Sequence, residues 1–174
     1  MDPMSFYNLF AGAGFSRDFL FRVTSVNVGN TGLGKSAALF ARAASFPGRT
    51  IEDKPISYFG VEYHMGGRAI YEAAGGYEIE FFADANIGTR LALEFASRAV
   101  FDNGKAGQGF DIDPMGSISM QVLNEGGGGG PTLTLEGASI RSIGPIQYLI
   151  GEGTGEIVTF TSTFAFQSFK SIVL

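Results

Sequence analysis

Regular alternation of apolar and polar residues runs through much of the chain and predicts β-strands. Within these segments apolar side chains recur at alternate positions over most of the length, as expected for a strand with one buried face. The segments are 19–28, 56–59, 61–65, 77–82, 118–123, 132–143 and 156–166. A chain with so many short alternating segments is predicted to be mainly β.

Glycine-rich stretches separate these segments and predict their turns. Residues 29–34 divide 19–28 from 35–46, so these two segments are predicted to pair as a hairpin. The pairs Gly66-Gly67 and Gly75-Gly76 bracket a predicted loop, and the glycine run 126–130 is predicted to form a flexible hairpin tip.

One segment has the period of a helix. The apolar residues Ile87, Leu91 and Phe95 recur at every fourth position, which places them on one stripe. A second stripe carries Arg90, Glu94 and Arg98, and its acid can pair with either base. These patterns predict an amphipathic helix at about 86–101, capped by Asp84 or Asn86.

Together these elements predict an antiparallel β-sandwich or barrel with one α-helix packed outside. Residues 1–18 have scattered aromatic side chains without a clear period, so they are predicted to form an N-terminal arm that packs on something else. Residues 19–174 are predicted to be a single domain, since 174 residues suit one hydrophobic core.

Composition excludes most catalytic chemistry. The chain has no cysteine and one histidine, which removes thiol enzymes, structural zinc sites and disulfide scaffolds. Charged residues are 17% of the chain and 17 residues are phenylalanine, which indicates a surface largely covered by partners. The net charge of −5 argues against nucleic-acid or anionic-membrane binding, and the absence of a long apolar run or a basic leader favours a cytosolic chain.

A phosphate-binding motif requires an alternative hypothesis. Gly29–Ser36 matches G-x-x-x-x-G-K-[ST] after a strand, as in a nucleotide-binding P-loop. Such a loop belongs to a parallel, doubly wound sheet with several helices, whereas the pattern here predicts antiparallel strands and one further helix. The other interpretation is a glycine-rich turn in which Lys35 is solvated.

Other candidate residues have ordinary structural interpretations. His64 is predicted to be a hydrogen-bonded structural residue. Glu78 and Glu80 share a strand face about 7 Å apart, which suits either glycoside hydrolysis or a solvated acidic face. Asp111 and Asp113 resemble half of a calcium loop whose remaining ligands are absent. We therefore predict no catalytic residue, no metal site and no cofactor.

The order of segments from about Phe19 to Phe166 resembles the tail tube proteins of contractile-tailed bacteriophages. These are related to the tube proteins of R-type pyocins and of type VI secretion. The resemblance is carried by residues 43–48, the acidic and basic stretch 52–56, residues 60–63 and 66–68, and a strand that leads into the helix.

The resemblance implies a non-enzymatic structural protein. Hexameric rings would stack into a tube whose lumen is a β-barrel built by strands from all subunits. Implied partners are a tail sheath outside, baseplate and tail terminator proteins at the ends, and tape-measure protein and DNA in the lumen without specific binding. It implies no membrane binding, assembly in the host cytoplasm and a place in the virion tail. The alternative is the tube of a secretion or bacteriocin-type injection particle.

The resemblance also suggests where functional residues lie. An anionic lumen repels DNA, and the lumen-lining candidates are Glu62, Glu78, Glu80 and Glu136. In this family the loop after the first hairpin reaches a neighbouring ring. The inter-ring contact candidates are Arg49, Glu52, Asp53, Lys54 and Arg68.

Overall fold

The computed structural model describes Met4 and residues 20–28, 38–100, 115–124, 128–148 and 155–172. These residues form nine strands and one complete helix. The elements are β1 (Phe21–Asn27), β2 (Ala41–Ala44), β3 (Arg49–Tyr58), β4 (Val61–Tyr71), β5 (Tyr77–Phe82), α1 (Gly88–Val100), β6 (Gly116–Leu123), β7 (Gly129–Ile143), β8 (Thr159–Ala165) and β9 (Ser168–Ile172).

Seven strands make one antiparallel sheet in the order β1-β6-β7-β8-β5-β2, with β9 also paired to β7. Strand β7 is shared, since Thr132–Glu136 pairs with β9 whereas Ser139–Ile143 pairs with β8. Between these parts lies Gly137 with φ +66°, a backbone angle that glycine adopts without steric cost. We call β1, β6, β9 and the first part of β7 half-sheet A, and β2, β5, β8 and the second part half-sheet B.

The core lies between the half-sheets and includes one face of the helix. In β5, Tyr77, Ile79 and Phe81 are fully buried whereas Glu78 is exposed, so the predicted alternation is confirmed. The buried residues of both half-sheets and α1 form one cluster. The sheet therefore folds over its own apolar face. Within the described residues it does not close, since no pairing joins β1 to β2, the outer strands of the order.

The helix begins where Asp84 can cap it. Its Oδ2 accepts a hydrogen bond from the Gly88 amide at 2.9 Å, and its Oδ1 accepts one from the Thr89 amide at 3.1 Å. Burial opposes ionisation of the carboxyl, but these amide donors outweigh it and lower the Asp84 pKa. Asp84 rather than Asn86 is thus the cap, and the predicted helix is confirmed.

The predicted pairing of 19–28 with 35–46 is wrong. β1 pairs with β6, with Val26 opposite Ile118, and β2 pairs with β5, with Ala44 opposite Ile79. The prediction rested on a glycine-rich turn signal, which is local. Each strand instead pairs with a distant strand whose apolar residues face the same core.

The segment 49–71 is more regular than predicted. β3 and β4 pair along almost their whole length as a two-stranded sheet of their own. Phe59 and Gly60 connect them with φ of 50° and 75°, as in a two-residue type I′ turn. The loop predicted between Gly66-Gly67 and Gly75-Gly76 is shorter than expected, because β4 continues through the first glycine pair to Tyr71 and only 72–76 lie outside a strand.

Candidate functional site: exposed hairpin and sheet edges

The β3–β4 hairpin projects from the body of the protein. Apart from Glu52 and Tyr71, all residues of its two strands are exposed. At its base the Glu72 amide donates a hydrogen bond to the Gly48 carbonyl at 2.9 Å. An isolated two-stranded hairpin is at best marginally stable in water, so this one is suited to a partner that covers it.

One face of the hairpin is apolar. The register places Ile56 opposite Tyr63 and Tyr58 opposite Val61, and Met65 follows on the same face by strand alternation. These five side chains, which we call the hairpin apolar face, are 50–63% exposed. At the tip Phe59 is 88% exposed. A contiguous apolar surface of this kind marks an interaction site.

The hairpin also carries all five predicted inter-ring residues. Arg68 donates hydrogen bonds to Glu52 at 2.8 and 3.2 Å, and this carboxylate raises the pKa of Arg68. Asp53 Oδ2 lies 2.5 Å from Nδ1 of His64, so His64 is hydrogen-bonded as expected. These two pairs lie within one hairpin. Glu52, Asp53 and Arg68 therefore already have hydrogen-bond partners within their own chain.

The remaining two inter-ring candidates have no ion-pair partner within the described residues. They are Arg49, at the base of β3, and Lys54, in the middle of that strand. Both residues are exposed. They are consequently the cations of the hairpin that are available to a carboxylate on another chain.

Three strands of the sheet have an open edge. In the described part of the chain β1 pairs only with β6, β2 only with β5 and β9 only with β7. The free amide and carbonyl groups on such an edge can pair with a strand of another chain. Half-sheet A is open on both sides, since β1 and β9 are its outer strands.

The structure does not bring the four lumen candidates together. Glu136 lies in half-sheet A and accepts a hydrogen bond from Lys170 at 2.7 Å, which lowers the Glu136 pKa. Glu78 and Glu80 point outward from half-sheet B, where Glu80 pairs with Arg42 at 2.8 Å. Glu62 lies on the hairpin. At most two of the four can line one sheet face.

The outer face of half-sheet A is rich in hydroxyl and amide groups. Ser119 and Thr134 make a cross-strand hydrogen bond at 3.2 Å, and Thr24 donates to the Ser119 carbonyl at 3.1 Å. In the next row Arg22 donates to Gln121 at 2.6 and 3.1 Å. This face is polar but carries few charges.

The described residues offer no support for the alternative chemistries. Gly29–Ser36, and with it Lys35, lies outside them, as do Asp111, Asp113 and nearly all of the predicted arm 1–18. Every described strand pair is antiparallel, unlike the sheet that a P-loop requires. Within this part no three histidine or carboxylate groups are placed to hold a metal ion.

A membrane-spanning helix was not predicted from the sequence. Among the residues that the structure describes, none of the helical segments combines the length and the apolar character that crossing a bilayer requires.

Comparisons with known proteins identify the fold. No protein-family model matches the sequence, and no curated protein is significantly similar to it. A chain in the cryo-EM structure of the PVC sheath/tube terminator, from an extracellular contractile injection system, is 12% identical with a TM-score of 0.61, covering 92% of this chain and 98% of that one. A chain of the anti-feeding prophage tube-terminating cap gives 12% identity and a TM-score of 0.61, covering 92% and 93%.

A third structure, the PVC sheath-tube complex in the extended state, has a chain that is 12% identical with a TM-score of 0.59 and covers 96% of this chain and 97% of that one. These chains match over nearly their whole length. The fold is therefore that of chains in the tube, terminator and cap assemblies of contractile injection systems. The suspected resemblance is confirmed at the level of the fold, as is the mainly β, antiparallel fold class with one helix.

The sequence-based prediction missed the hairpin apolar face, although its signal is present. Ile56 and Tyr58 alternate with polar or small residues before the Phe59-Gly60 turn, and Val61, Tyr63 and Met65 continue the alternation after it. A two-residue turn between two alternating segments fixes their register. The two segments are therefore predictable as one amphipathic hairpin.

Proposed function

We propose that this chain is a structural, non-catalytic subunit that assembles with identical copies into rings, and that these rings stack into the inner tube of a contractile injection particle. The fold shared with injection-particle chains supports this role. The observation that carries the proposal is the projecting hairpin, whose apolar face is exposed in a single chain. In the proposed tube, a second copy of the chain covers this face.

Burial of the hairpin apolar face supplies the driving force for stacking. Five large apolar side chains that are half exposed lose that remaining contact with water when they dock on a neighbouring ring. The cations Arg49 and Lys54 then find carboxylates on the next copy, while Glu52, Asp53 and Arg68 keep the hairpin in shape. Exposed ion pairs contribute about 0–1 kcal/mol each, so they fix register more than affinity.

Pairing of open edges builds the ring. Joining the edge strands of neighbouring copies satisfies their free backbone groups and closes a barrel. Six copies per ring are proposed by analogy with the six-fold symmetry of the anti-feeding prophage baseplate, which includes a chain of similar fold. The lumen face would be the outer face of one half-sheet, lined by Glu136 if it is half-sheet A and by Glu78 and Glu80 if it is half-sheet B.

The tube would guide a polymer without binding it. We propose a sheath around it and baseplate and terminator proteins at its ends, with tape-measure protein and genomic DNA passing through the lumen of a phage tail. The second candidate is the tube of a secretion or bacteriocin-type particle. The similar structures favour this candidate, because the PVC and anti-feeding prophage particles are injection systems.

Electron microscopy of the purified protein over a range of concentrations tests the proposal. Rings or tubes are expected above a threshold concentration, and monomers at all concentrations would contradict it. The chain has no cysteine, so a single introduced cysteine can be labelled selectively. Two variants, with cysteine at position 78 or at position 136, would be assembled and treated with a maleimide too large to enter the lumen. The position that is protected from labelling identifies the half-sheet that faces the lumen.

The nucleotide-binding alternative has its own test. The tube proposal predicts that neither the natural chain nor Lys35→Ala binds ATP or GTP, as measured by equilibrium dialysis. Binding by the natural chain that is lost in Lys35→Ala would establish the P-loop function instead.

A further inference from the structure

The outer side of α1 presents a second exposed surface that is separate from the hairpin and the sheet edges. Leu91 is 42% exposed, Phe95 63% and Tyr148, in the segment after β7, 62%. Two arginines of α1, Arg90 and Arg98, lie beside these side chains. We call these five residues the helix surface. It combines aromatic groups and arginines, the residue types enriched where proteins bind each other.

The helix surface contains a shallow cavity that is open to solvent. A space of about 330 Å³ is lined by Ile87, just before the helix, by Arg90 in its first turn, and by Pro145, Ile146 and Tyr148. A smaller depression of about 70 Å³ lies farther along the helix, between Leu91, Glu94, Phe95 and Arg98. The larger cavity is walled by apolar side chains and has one charged group, Arg90. It therefore fits a ligand with an apolar part and an anionic part.

One donor of the Arg90 guanidinium lacks a hydrogen-bond acceptor. Its Nε is buried and has no partner among the described residues. Its only ion pair there is a long one, with Nη1 3.4 Å from Oε2 of Glu94. The same carboxylate accepts a shorter hydrogen bond, at 2.8 Å, from Arg98. Glu94 is thus largely engaged by Arg98, and a buried donor without an acceptor is unfavourable.

We propose that the helix surface binds an acidic segment of a second, different protein. A carboxylate of that segment accepts hydrogen bonds from Arg90, since a guanidinium presents its donors in a fork that matches a carboxylate. An apolar side chain next to the carboxylate fills the cavity beside Tyr148. Phe95 and Leu91 extend the apolar contact along the helix.

The occupant is a different chain because self-association already has its own surfaces. The hairpin apolar face and the open edges of β1, β2 and β9 share no residue with the helix surface. Along α1 itself two arginines outnumber the single glutamate, in a chain whose net charge is −5. This excess of positive charge favours a partner with carboxylates. The inference goes beyond the proposed function and does not require that rings form.

The first test asks whether Arg90 is truly without an acceptor in the free protein. Arg90→Met keeps most of the unbranched aliphatic stem of the side chain and removes the donors. We expect the midpoint of thermal unfolding to stay the same or rise, because a buried unpaired donor is lost. A clear fall in the midpoint would show that another part of the same chain already supplies the acceptor. That result would overturn the proposal.

The second test measures binding of a defined probe to the full-length protein. The probe is a short, fluorescently labelled helical peptide of glutamate, leucine and alanine, and its twin has glutamine in place of glutamate. Fluorescence anisotropy should show that the acidic peptide binds the natural chain and that Arg90→Met weakens this binding about tenfold, as expected for loss of a charge-assisted hydrogen-bonded pair. The glutamine peptide should bind weakly, and with the same affinity to the natural chain and to Arg90→Met.

Arg141→Met is the matched control, since Arg141 is an exposed arginine in β7 that lines neither cavity. It should leave the affinity for the acidic peptide unchanged. Equal weakening by both substitutions would indicate only general attraction to positive charge, and would overturn the proposal. So would failure of the acidic peptide to bind, or a change in the sedimenting size of the protein caused by Arg90→Met, which would make a second copy the occupant.

Discussion

Replacing apolar with polar side chains on the hairpin apolar face should block assembly without unfolding the subunit. The double substitution Ile56→Thr and Val61→Thr places two hydroxyl groups on that face, at positions 50% and 52% exposed in the single chain. Threonine is β-branched and favours strands, so the hairpin itself should persist. Because both positions are exposed, the unfolding free energy should change by only about 0.5 kcal/mol each.

The expected effect on assembly follows from burial at the interface. A hydroxyl that is buried without a hydrogen-bond partner costs about 1–3 kcal/mol in proteins, so two of them cost about 2–6 kcal/mol per copy. Since about 1.4 kcal/mol corresponds to a factor of ten, the threshold concentration for stacking should rise at least about thirtyfold.

Ile51→Thr is the matched control. Ile51 is 57% exposed, and its replacement by threonine is the same chemical change as Ile56→Thr. Strand alternation, however, places Ile51 on the opposite face of the hairpin. Sedimentation velocity and electron microscopy would measure the threshold for each variant, and circular dichroism would check its fold. If the double variant and Ile51→Thr assembled at the same concentration as the natural chain, the hairpin apolar face would not be the stacking surface.

Three further predictions concern the stability of the subunit. Phe81→Ala removes a fully buried ring and should lower the unfolding free energy by about 3–5 kcal/mol in urea titrations; a loss below about 1 kcal/mol would contradict the assigned core. Gly116→Ala should prevent correct pairing of β1 with β6, because the new Cβ would stand 1.6 Å from the carbonyl oxygen of Asn27. Gly75→Ala is the control, since its Cβ would meet nothing within 4 Å. In thermal unfolding Gly75→Ala should be nearly neutral and Gly116→Ala strongly destabilising. Asp84→Ala should cost about 1 kcal/mol at neutral pH. The difference from the natural chain should shrink as the pH falls through the lowered pKa of Asp84, and a pH-independent difference would argue against the cap.

The elements themselves were largely predictable from the sequence. Alternation identified β5 and β8, where burial of Phe81 and Phe160 follows the period of two. The four-residue period identified α1, and capping chemistry limited its start to two candidates. These signals are local, since each is set by the backbone geometry of one element.

Pairing partners and surface roles were not predictable in the same way. The turn signal after β1 favoured a hairpin, but the partner of β1 is β6, far along the chain, and only the shared core specifies that pairing. The lumen candidates were chosen by charge alone. Charge does not indicate which half-sheet a strand joins or which face its side chains occupy. The candidates therefore include Glu136 in half-sheet A and Glu78 in half-sheet B.

Strand β7 links the two half-sheets through a single uninterrupted backbone that bends at Gly137. Tension applied to the edge at β9 is therefore carried by covalent bonds into the layer that contains β8, β5 and β2. The two layers are thus joined by the chain itself as well as by the packing of their shared core. A particle that drives such a subunit forward under mechanical load would push a wall whose two layers move as one piece.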